Sequence, residues 1–156
     1  MSRIITDRGQ LCAQIARLRA EGRTVVLANG AFDVLHVGHI RYLQGAAAEG
    51  DVLVVAVNTD ESIKRYKDPS RPLQPLAERL EILEAIACID ILTPLDEPSC
   101  DALLELIHPD VHAKGPEYTP ANLPEYPTLQ RLGIRLATVG DPKTHSSTEL
   151  IRRLGR

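Results

Sequence analysis

Val52-Leu53-Val54-Val55-Ala56-Val57 is an apolar run with no polar interruption, set between Asp51 and Asn58. Branched side chains favour a strand, and the lack of alternation means that both faces of that strand are covered. Such a strand belongs inside a parallel sheet sandwiched between helices. Parallel neighbours need long crossover connections, so helices must precede and follow it. The remainder of the chain has that rhythm.

Asp7 is a plausible N-cap for a first helix carrying Leu11, Ile15 and Leu18, with Gly22 as its stop; residues 1–22 read as an N-terminal helical extension. Thr24 to Ala28 reads as the first strand, Val37 to Glu49 as an amphipathic helix with Ile40, Leu43 and Ala47 inward, and Asp51 to Val57 as the second strand. A short helix follows to Tyr66. Pro69, Pro72 and Pro75 then exclude a helix and mark a surface loop. From Pro75 a helix places Leu76, Leu80, Leu83 and Ile86 on one face, either for the core or for a homodimer interface. Ile89 to Thr93 reads as the third strand, Pro98 to Ile107 as a helix, and Val111 to Ala113 as the fourth strand. Lys114 to Pro127 is a second proline-bearing loop. Thr128 to Leu132 reads as a helix, Ile134 to Val139 as the fifth strand and Ser147 to Leu154 as the last helix. The expected architecture is a doubly wound α/β sheet of about five parallel strands in one domain of 156 residues.

Composition narrows the function classes. A net charge of −3 gives no basic excess for nonspecific nucleic-acid binding, and one Phe with no Trp supplies no stacking platform. No apolar run approaches the ~20 residues of a bilayer span, and the polar N-terminus lacks a signal peptide's core. Cys12, Cys88 and Cys100 show no CxxC spacing and read as reduced thiols on apolar faces of a cytoplasmic protein.

Ligands of doubly wound sheets bind beyond the carboxyl ends of the strands. The first strand ends in Asn29-Gly30-Ala31-Phe32-Asp33-Val34-Leu35-His36-Val37-Gly38-His39. His36 and His39 are three apart where a helix begins, and so share a face. Exposed N–H groups and the helix dipole favour an anion there, and Gly38 removes a side chain that would crowd it. Two imidazole donors on a phosphate would stabilise the extra charge of a five-coordinate transition state. The same spacing suits a metal, but His108, His112 and His145 supply no further ligand pattern, so no protein-held metal is expected. Asp33 is read as shaping its turn through backbone N–H groups. Ser147 and Thr148, at the last helix's start, offer hydroxyl and N–H donors, or a plain cap.

These residues carry a resemblance. Gly30 to His39 resembles the GxFDxxHxGH signature of the cytidylyltransferase-like nucleotidyltransferases, and His145-Ser146-Ser147-Thr148-Glu149-Leu150-Ile151 resembles the Ser/Thr-rich signature before their last helix. The resemblance implies a Rossmann-like fold and in-line nucleotidyl transfer that uses Mg²⁺ and no covalent enzyme intermediate. It assigns His36, His39 and Lys67 to catalysis. Nucleotide and phosphate contacts fall to Asn29, Gly30, Ala31, Phe32, Gly38, Asn58, Asp60, Arg71, Arg79, Lys114, Gly115, Ser146, Ser147 and Thr148. Val57 to Ile63, Lys67 to Pro72, Arg79, and Leu106 to Val111 followed by Lys114-Gly115 resemble the branch that adenylylates D-glycero-β-D-manno-heptose 1-phosphate. This implies ATP and a sugar phosphate as partners.

The branch commonly has Lys-Gly-Gly-Asp-Tyr where this chain has Lys114-Gly115-Pro116-Glu117-Tyr118, so acceptor contacts beyond Gly115 do not transfer. Two alternatives stay open: a cytidylyltransferase acting on glycerol 3-phosphate or another polyol phosphate, and a noncatalytic nucleotide-binding domain.

Overall fold

The computed structural model describes residues 2–142 and 145–155. Its five strands are β1 (Val25–Gly30), β2 (Val52–Asn58), β3 (Ile91–Leu95), β4 (Val111–Lys114) and β5 (Arg135–Thr138). All pairings are parallel, in the order β3-β2-β1-β4-β5. The helices are α1 (Arg8–Ala20), α2 (Val37–Ala47), α3 (Asp60–Tyr66), α4 (Leu76–Glu84), α5 (Asp101–Ile107), α6 (Tyr126–Leu132) and α7 (Ser147–Leu154).

The apolar run of β2 is buried along its whole length because side chains alternate between two cores. Val54 and Ala56 join Leu11, Ile15, Leu103, Leu104 and Leu129 from α1, α5 and α6. Leu53, Val55 and Val57 join Leu43, Ala46, Leu80 and Leu83 from α2 and α4 on the opposite face. This is the Rossmann-like, doubly wound arrangement expected from the sequence. Leu11 and Ile15, in the helix read as an extension, are fully or almost fully buried and so belong to that core. The chain also runs past β3: Ile4 bridges Leu92, with the Ile5 N–H donating to the Leu92 carbonyl at 2.8 Å.

Several boundaries differ from expectation. β3 begins two residues late and includes Pro94, which an edge strand tolerates because one row of its hydrogen-bonding groups faces away from the sheet. α5 starts at Asp101, three residues after Pro98. α4 commits Leu80 and Leu83 to the core and leaves Ile82 exposed. Leu106 is exposed while Leu103 and Ile107 are buried. Only Cys100 is a buried thiol, pushed up to about 12 by desolvation, whereas Cys12 and Cys88 are half-buried. No helix among the described residues is long and apolar enough to cross a membrane.

His112 interrupts the apolar lining of β4. It is 0% exposed, neither ring nitrogen has a hydrogen-bond partner among the described residues, and burial beside Lys114 lowers its pKa to about 3. It is a neutral core histidine.

Candidate active site

From β1 the chain winds outward through β2 to β3, then returns to place β4 on the other side of β1. Crossovers on the two sides diverge at the β1/β4 boundary, leaving a crevice beyond the strands' carboxyl ends. A cavity of about 490 Å³ lies there. It is lined by the β1–α2 loop, the starts of α2 and α7, the end of β4, the segment after β5, and Lys67 and Arg71.

The two histidines cap their own helix. His36 is the N-cap of α2, and its Nδ1 accepts the Gly38 N–H at 3.1 Å. His39 reaches back so that its Nδ1 accepts the His36 N–H at 3.3 Å. Both imidazoles occupy the positions that a Ser and a Glu take in an ordinary capping box. A ring nitrogen that accepts an N–H carries no proton, so each neutral ring is held as the Nε2–H tautomer. The rings stack with centroids 3.8 Å apart, and Phe32 presents an edge to His39 at 5.4 Å. Both rings line the cavity. Two ring donors are thereby fixed side by side, the kind of preorganised pair that suits an oxyanion.

Gly38 lines the cavity and also makes room for a neighbour. A Cβ there would lie 2.8 Å from His36 Cε1 and 2.9 Å from Nδ1, so the missing side chain makes room for the imidazole that folds across it. The first obstacle to a larger residue is the histidine, not a ligand.

The start of α7 faces the same cavity. Ser146 is its N-cap and accepts the Glu149 N–H at 3.1 Å. Ser147 donates its hydroxyl to the Val34 carbonyl at 3.0 Å, which uses the proton that was expected for phosphate. Its oxygen lone pairs and the N–H groups of the first turn remain suited to a metal-bound or protonated ligand and to an anion, respectively. Thr148 lines the cavity and is exposed. Thus Ser146 caps α7, and Ser147 ties it to the β1–α2 loop.

The proline-bearing loop is fastened to the β1–α2 loop by Asp33. This carboxylate accepts from Arg71 Nε at 2.7 Å and from the Leu73 and Gln74 N–H groups at 2.9 and 3.0 Å. Burial alone would raise its pKa; the two N–H groups and the guanidinium outweigh burial and hold it below the ordinary carboxylate range. Asp33 does bond backbone N–H groups, but those of a distant loop and not of its own turn. The Val34 N–H adds a bond to Gln74 Oε1 at 3.0 Å. Val34 and Phe32 sit at φ 58° and 51°, a costly region for side chains with a Cβ, so these ties hold the loop in a shape it would not choose alone.

Arg79, Asn58 and Asp60 were expected to touch nucleotide, but none of them lines the cavity. Arg79 is 1% exposed and donates to the carbonyls of Ala31 and Asn58, each at 2.7 Å, to the Gln74 carbonyl at 2.9 Å and to Asp60 Oδ1 at 2.7 Å. One planar guanidinium thereby joins the ends of β1 and β2, the start of α3 and the exit of the proline loop. A buried cation with all three nitrogens engaged acts as a bracket behind the site. Lys64 and Arg65 are exposed and stand outside the cavity.

At the end of β4, buried Lys114 reaches Asn29 Oδ1 at 3.3 Å and lies 4.6 Å from the Tyr118 ring centroid. The Tyr118 N–H closes a turn onto the Gly115 carbonyl at 3.1 Å, with Pro116 presetting the first central position. Tyr118 lines the cavity, whereas Tyr126 packs against the core at the far side. No cluster of three or more His, Cys, Asp or Glu among the described residues is placed to hold a metal. Asp33 is spent on the loop, and Asp141 pairs with Arg41. This donor set suits a magnesium ion held mainly by substrate phosphates and water, not one caged by protein.

Four lining groups escaped the sequence assignment: Tyr42, Glu117, Asp141 and His145. Tyr42 donates to the Ala113 carbonyl at 2.6 Å and braces α2 against β4; its burial pushes the phenol pKa up. The His145 ring lies 6.4 Å from that of His36, in near-parallel orientation. Its position just before Ser146 was the available signal; for Tyr42, one turn into a helix, there was none.

Comparisons with known proteins agree with this geometry. The cytidylyltransferase-like family profile matches residues 27–153, from the first strand through most of α7. The bifunctional protein HldE of Streptomyces coelicolor is 45% identical over 141 residues, covering 90% of this chain and 30% of that protein. HldE of Syntrophotalea carbinolica is 42% identical, covering 87% and 28%. The chain therefore spans about 30% of the length of these relatives. A crystal structure of the lipopolysaccharide core biosynthesis protein of Thermoplasma volcanium superposes with a TM-score of 0.64 at 26% identity, covering 78% of this chain and all of that one. With paired imidazoles at the switch point, a second helix start facing them, and a profile match spanning both, this chain belongs to the cytidylyltransferase-like family of nucleotidyltransferases.

Proposed function

We propose that this chain joins a sugar 1-phosphate to the AMP moiety of ATP and releases pyrophosphate, with D-glycero-β-D-manno-heptose 1-phosphate as the acceptor. The observation that carries the reaction type is the pair of stacked imidazoles, both held as Nε2–H donors at the start of α2. An acceptor phosphate oxygen attacks the α-phosphorus in line, and the bond to the pyrophosphate oxygen breaks. Such transfers need positioning and charge stabilisation, not a protein nucleophile. His36 and His39 donate to oxygens on the transferring phosphorus, where negative charge builds up. The α7 N-terminus takes the departing pyrophosphate, and Lys67 and Arg71 add positive charge from the proline loop. Mg²⁺, where bound with ATP, would supply charge neutralisation on the triphosphate.

The heptose assignment draws on the resemblance of Val57 to Ile63, Lys67 to Pro72, Arg79, Leu106 to Val111 and Lys114-Gly115, and on the likeness to a lipopolysaccharide core biosynthesis protein. The product would be ADP-heptose for lipopolysaccharide core or related glycans, which sets the reaction in the cytoplasm. The test is pyrophosphate release with Mg²⁺, each nucleoside triphosphate, and a panel of sugar and polyol phosphates. Turnover with ATP and the heptose 1-phosphate is the expected result. Turnover confined to CTP and glycerol 3-phosphate would replace this reading, and nucleotide binding without turnover on any acceptor would make the chain a noncatalytic binder.

A further inference from the structure

α2 carries more than the imidazole pair. Tyr42 and Gly45 follow His39 at successive steps of three residues, so the face that presents the histidines continues along the helix. Against that face lies the segment that leaves β5. A Cβ on Gly45 would stand 2.9 Å from Val139 Cβ and 3.3 Å from the Gly140 nitrogen, and a Cβ on Gly140 would stand 3.2 Å from Tyr42 Cα. These obstacles are backbone and Cβ atoms, which cannot swing aside as the end of a long side chain does. Gly140 also sits at φ 91°, where residues with a Cβ are strained. The helix and the segment therefore meet without a side chain between them, although a glycine inside α2 weakens that helix.

Both partners of this contact are tied to β4. The Val139 N–H donates to the Lys114 carbonyl at 2.8 Å, and the Tyr42 hydroxyl donates to the Ala113 carbonyl at 2.6 Å. Arg41 pairs with Asp141 just past the contact. Further along the chain, Ser147 opens α7 and bonds the Val34 carbonyl. The segment thus leads from the helix that carries the histidines to the helix start that faces the same cavity. In-line transfer depends on the separation between the groups that hold the transferring phosphorus and those that hold the leaving group. We propose that Gly45 and Gly140 are positioning residues: by letting the β5–α7 segment lie directly on α2, they fix how far the start of α7 stands from His36 and His39. The inference rests on the nucleotidyl transfer proposed above, in which those two places hold the α-phosphate and the departing pyrophosphate.

Wild type, Gly45→Ala, Gly140→Ala, Val139→Gly and Gly133→Ala are compared by steady-state pyrophosphate release and by melting, with the double variant Gly45→Ala/Val139→Gly alongside. A misplacement of about 1 Å between groups that act together costs up to about a hundredfold, so kcat should fall about ten- to a hundredfold in Gly45→Ala and Gly140→Ala. The ATP KM should change by less than about threefold, because each half still holds its own phosphates and only their spacing is altered. Val139→Gly removes the Cβ that the new methyl group meets, so the double variant should return kcat to within about threefold of Val139→Gly alone. Gly133→Ala is the control for strain. Gly133 ends α6 at φ 67° with open space around it and outside the cavity, so its replacement should lower the melting temperature and leave kcat unchanged. Should either alanine variant at the contact prove unfolded, Arg41→Met tests the contact from the surface, where loss of an exposed ion pair barely affects stability; kcat about two- to fivefold lower at an unchanged melting temperature is then expected. Unchanged kcat in the folded variants overturns the inference, as does a loss that Val139→Gly fails to relieve or that Gly133→Ala matches. Absence of wild-type turnover on every acceptor removes the reaction and this inference together, whereas turnover that the variants leave unaltered removes only this one.

Discussion

Arg71 lies in the proline loop and Arg79 eight residues later in α4, and in the sequence they look interchangeable. In the fold they belong to two different regions. Arg71 lines the cavity, pairs with Asp33 and retains some exposure, with 17% of its side chain accessible. Arg79 sits behind it with no accessible side chain and divides its donors among three carbonyls and Asp60. The first region can meet a ligand. The second shapes the wall the ligand meets. A basic residue near a phosphate site is thus two hypotheses, and burial together with hydrogen-bond partners distinguishes them.

Breaking the bracket should produce the largest effect. Arg79→Met would leave Asp60 and three carbonyls without their donor, and removing one partner of a buried ionic network costs about 3–5 kcal/mol. A fall in chemical-denaturation stability of that size is expected. A stable variant that has lost only ATP affinity would move Arg79 into the ligand-binding region. His39→Ala should show the opposite profile. Losing one preorganised donor lowers kcat by roughly 10²–10³, with at most about 1 kcal/mol lost from the cap. Near-normal turnover would remove His39 from the chemistry.

Asp33→Asn lies between the two regions, because Asp33 is 2% exposed yet holds a cavity residue. Losing the charge-assisted bonds to Arg71, Leu73 and Gln74 should cost about 1–3 kcal/mol and raise protease sensitivity within residues 67–75. Unchanged cleavage there would show that the prolines alone hold the loop. The same carboxylate has a depressed pKa, so its contribution is complete above the ordinary carboxylate range and fades as pH falls through the lowered value.

His112 gives the gentlest test. Its folded pKa is lowered to about 3 by burial, so between that value and the ordinary ~6.5 only the unfolded chain takes up the proton. Stability should therefore decline as pH drops through this window, at up to about 1.4 kcal/mol per pH unit. Melting His112→Phe and wild type at pH 7.5 and 4.5 checks it, with a smaller drop expected for the variant. Equal drops would mean that His112 is protonated in the fold.

Much of the site was legible because it is local. The strand, glycine, loop and histidine pair are contiguous, and a helix start needs caps within its first turn, so Gly30 to His39 announces both geometry and chemistry. Ser146 to Thr148 was legible for the same reason. Arg79 was misplaced because a buried cation with satisfied donors and an exposed one waiting for phosphate have the same residue type, and Asn58 and Asp60 because the acceptors they offer are taken up by that buried cation. Glu117 was hidden by Pro116: the substituted turn hides which way its neighbour points until the Tyr118 N–H and Asn122 are seen to close on it.

The order of apolar runs, prolines and caps by itself determined a doubly wound parallel sheet with a glycine-bearing turn leading to a helix start after β1. These features follow from short-range sterics and from the need to cover both faces of an apolar strand. Tertiary structure alone decided which polar residues face the cavity. Asp33 spends its charge on a loop some forty residues away, Ser147 spends its hydroxyl on Val34, and Arg79 turns inward. Each choice is made by partners distant in sequence, because a buried polar group takes whichever complementary group the packed fold brings within reach.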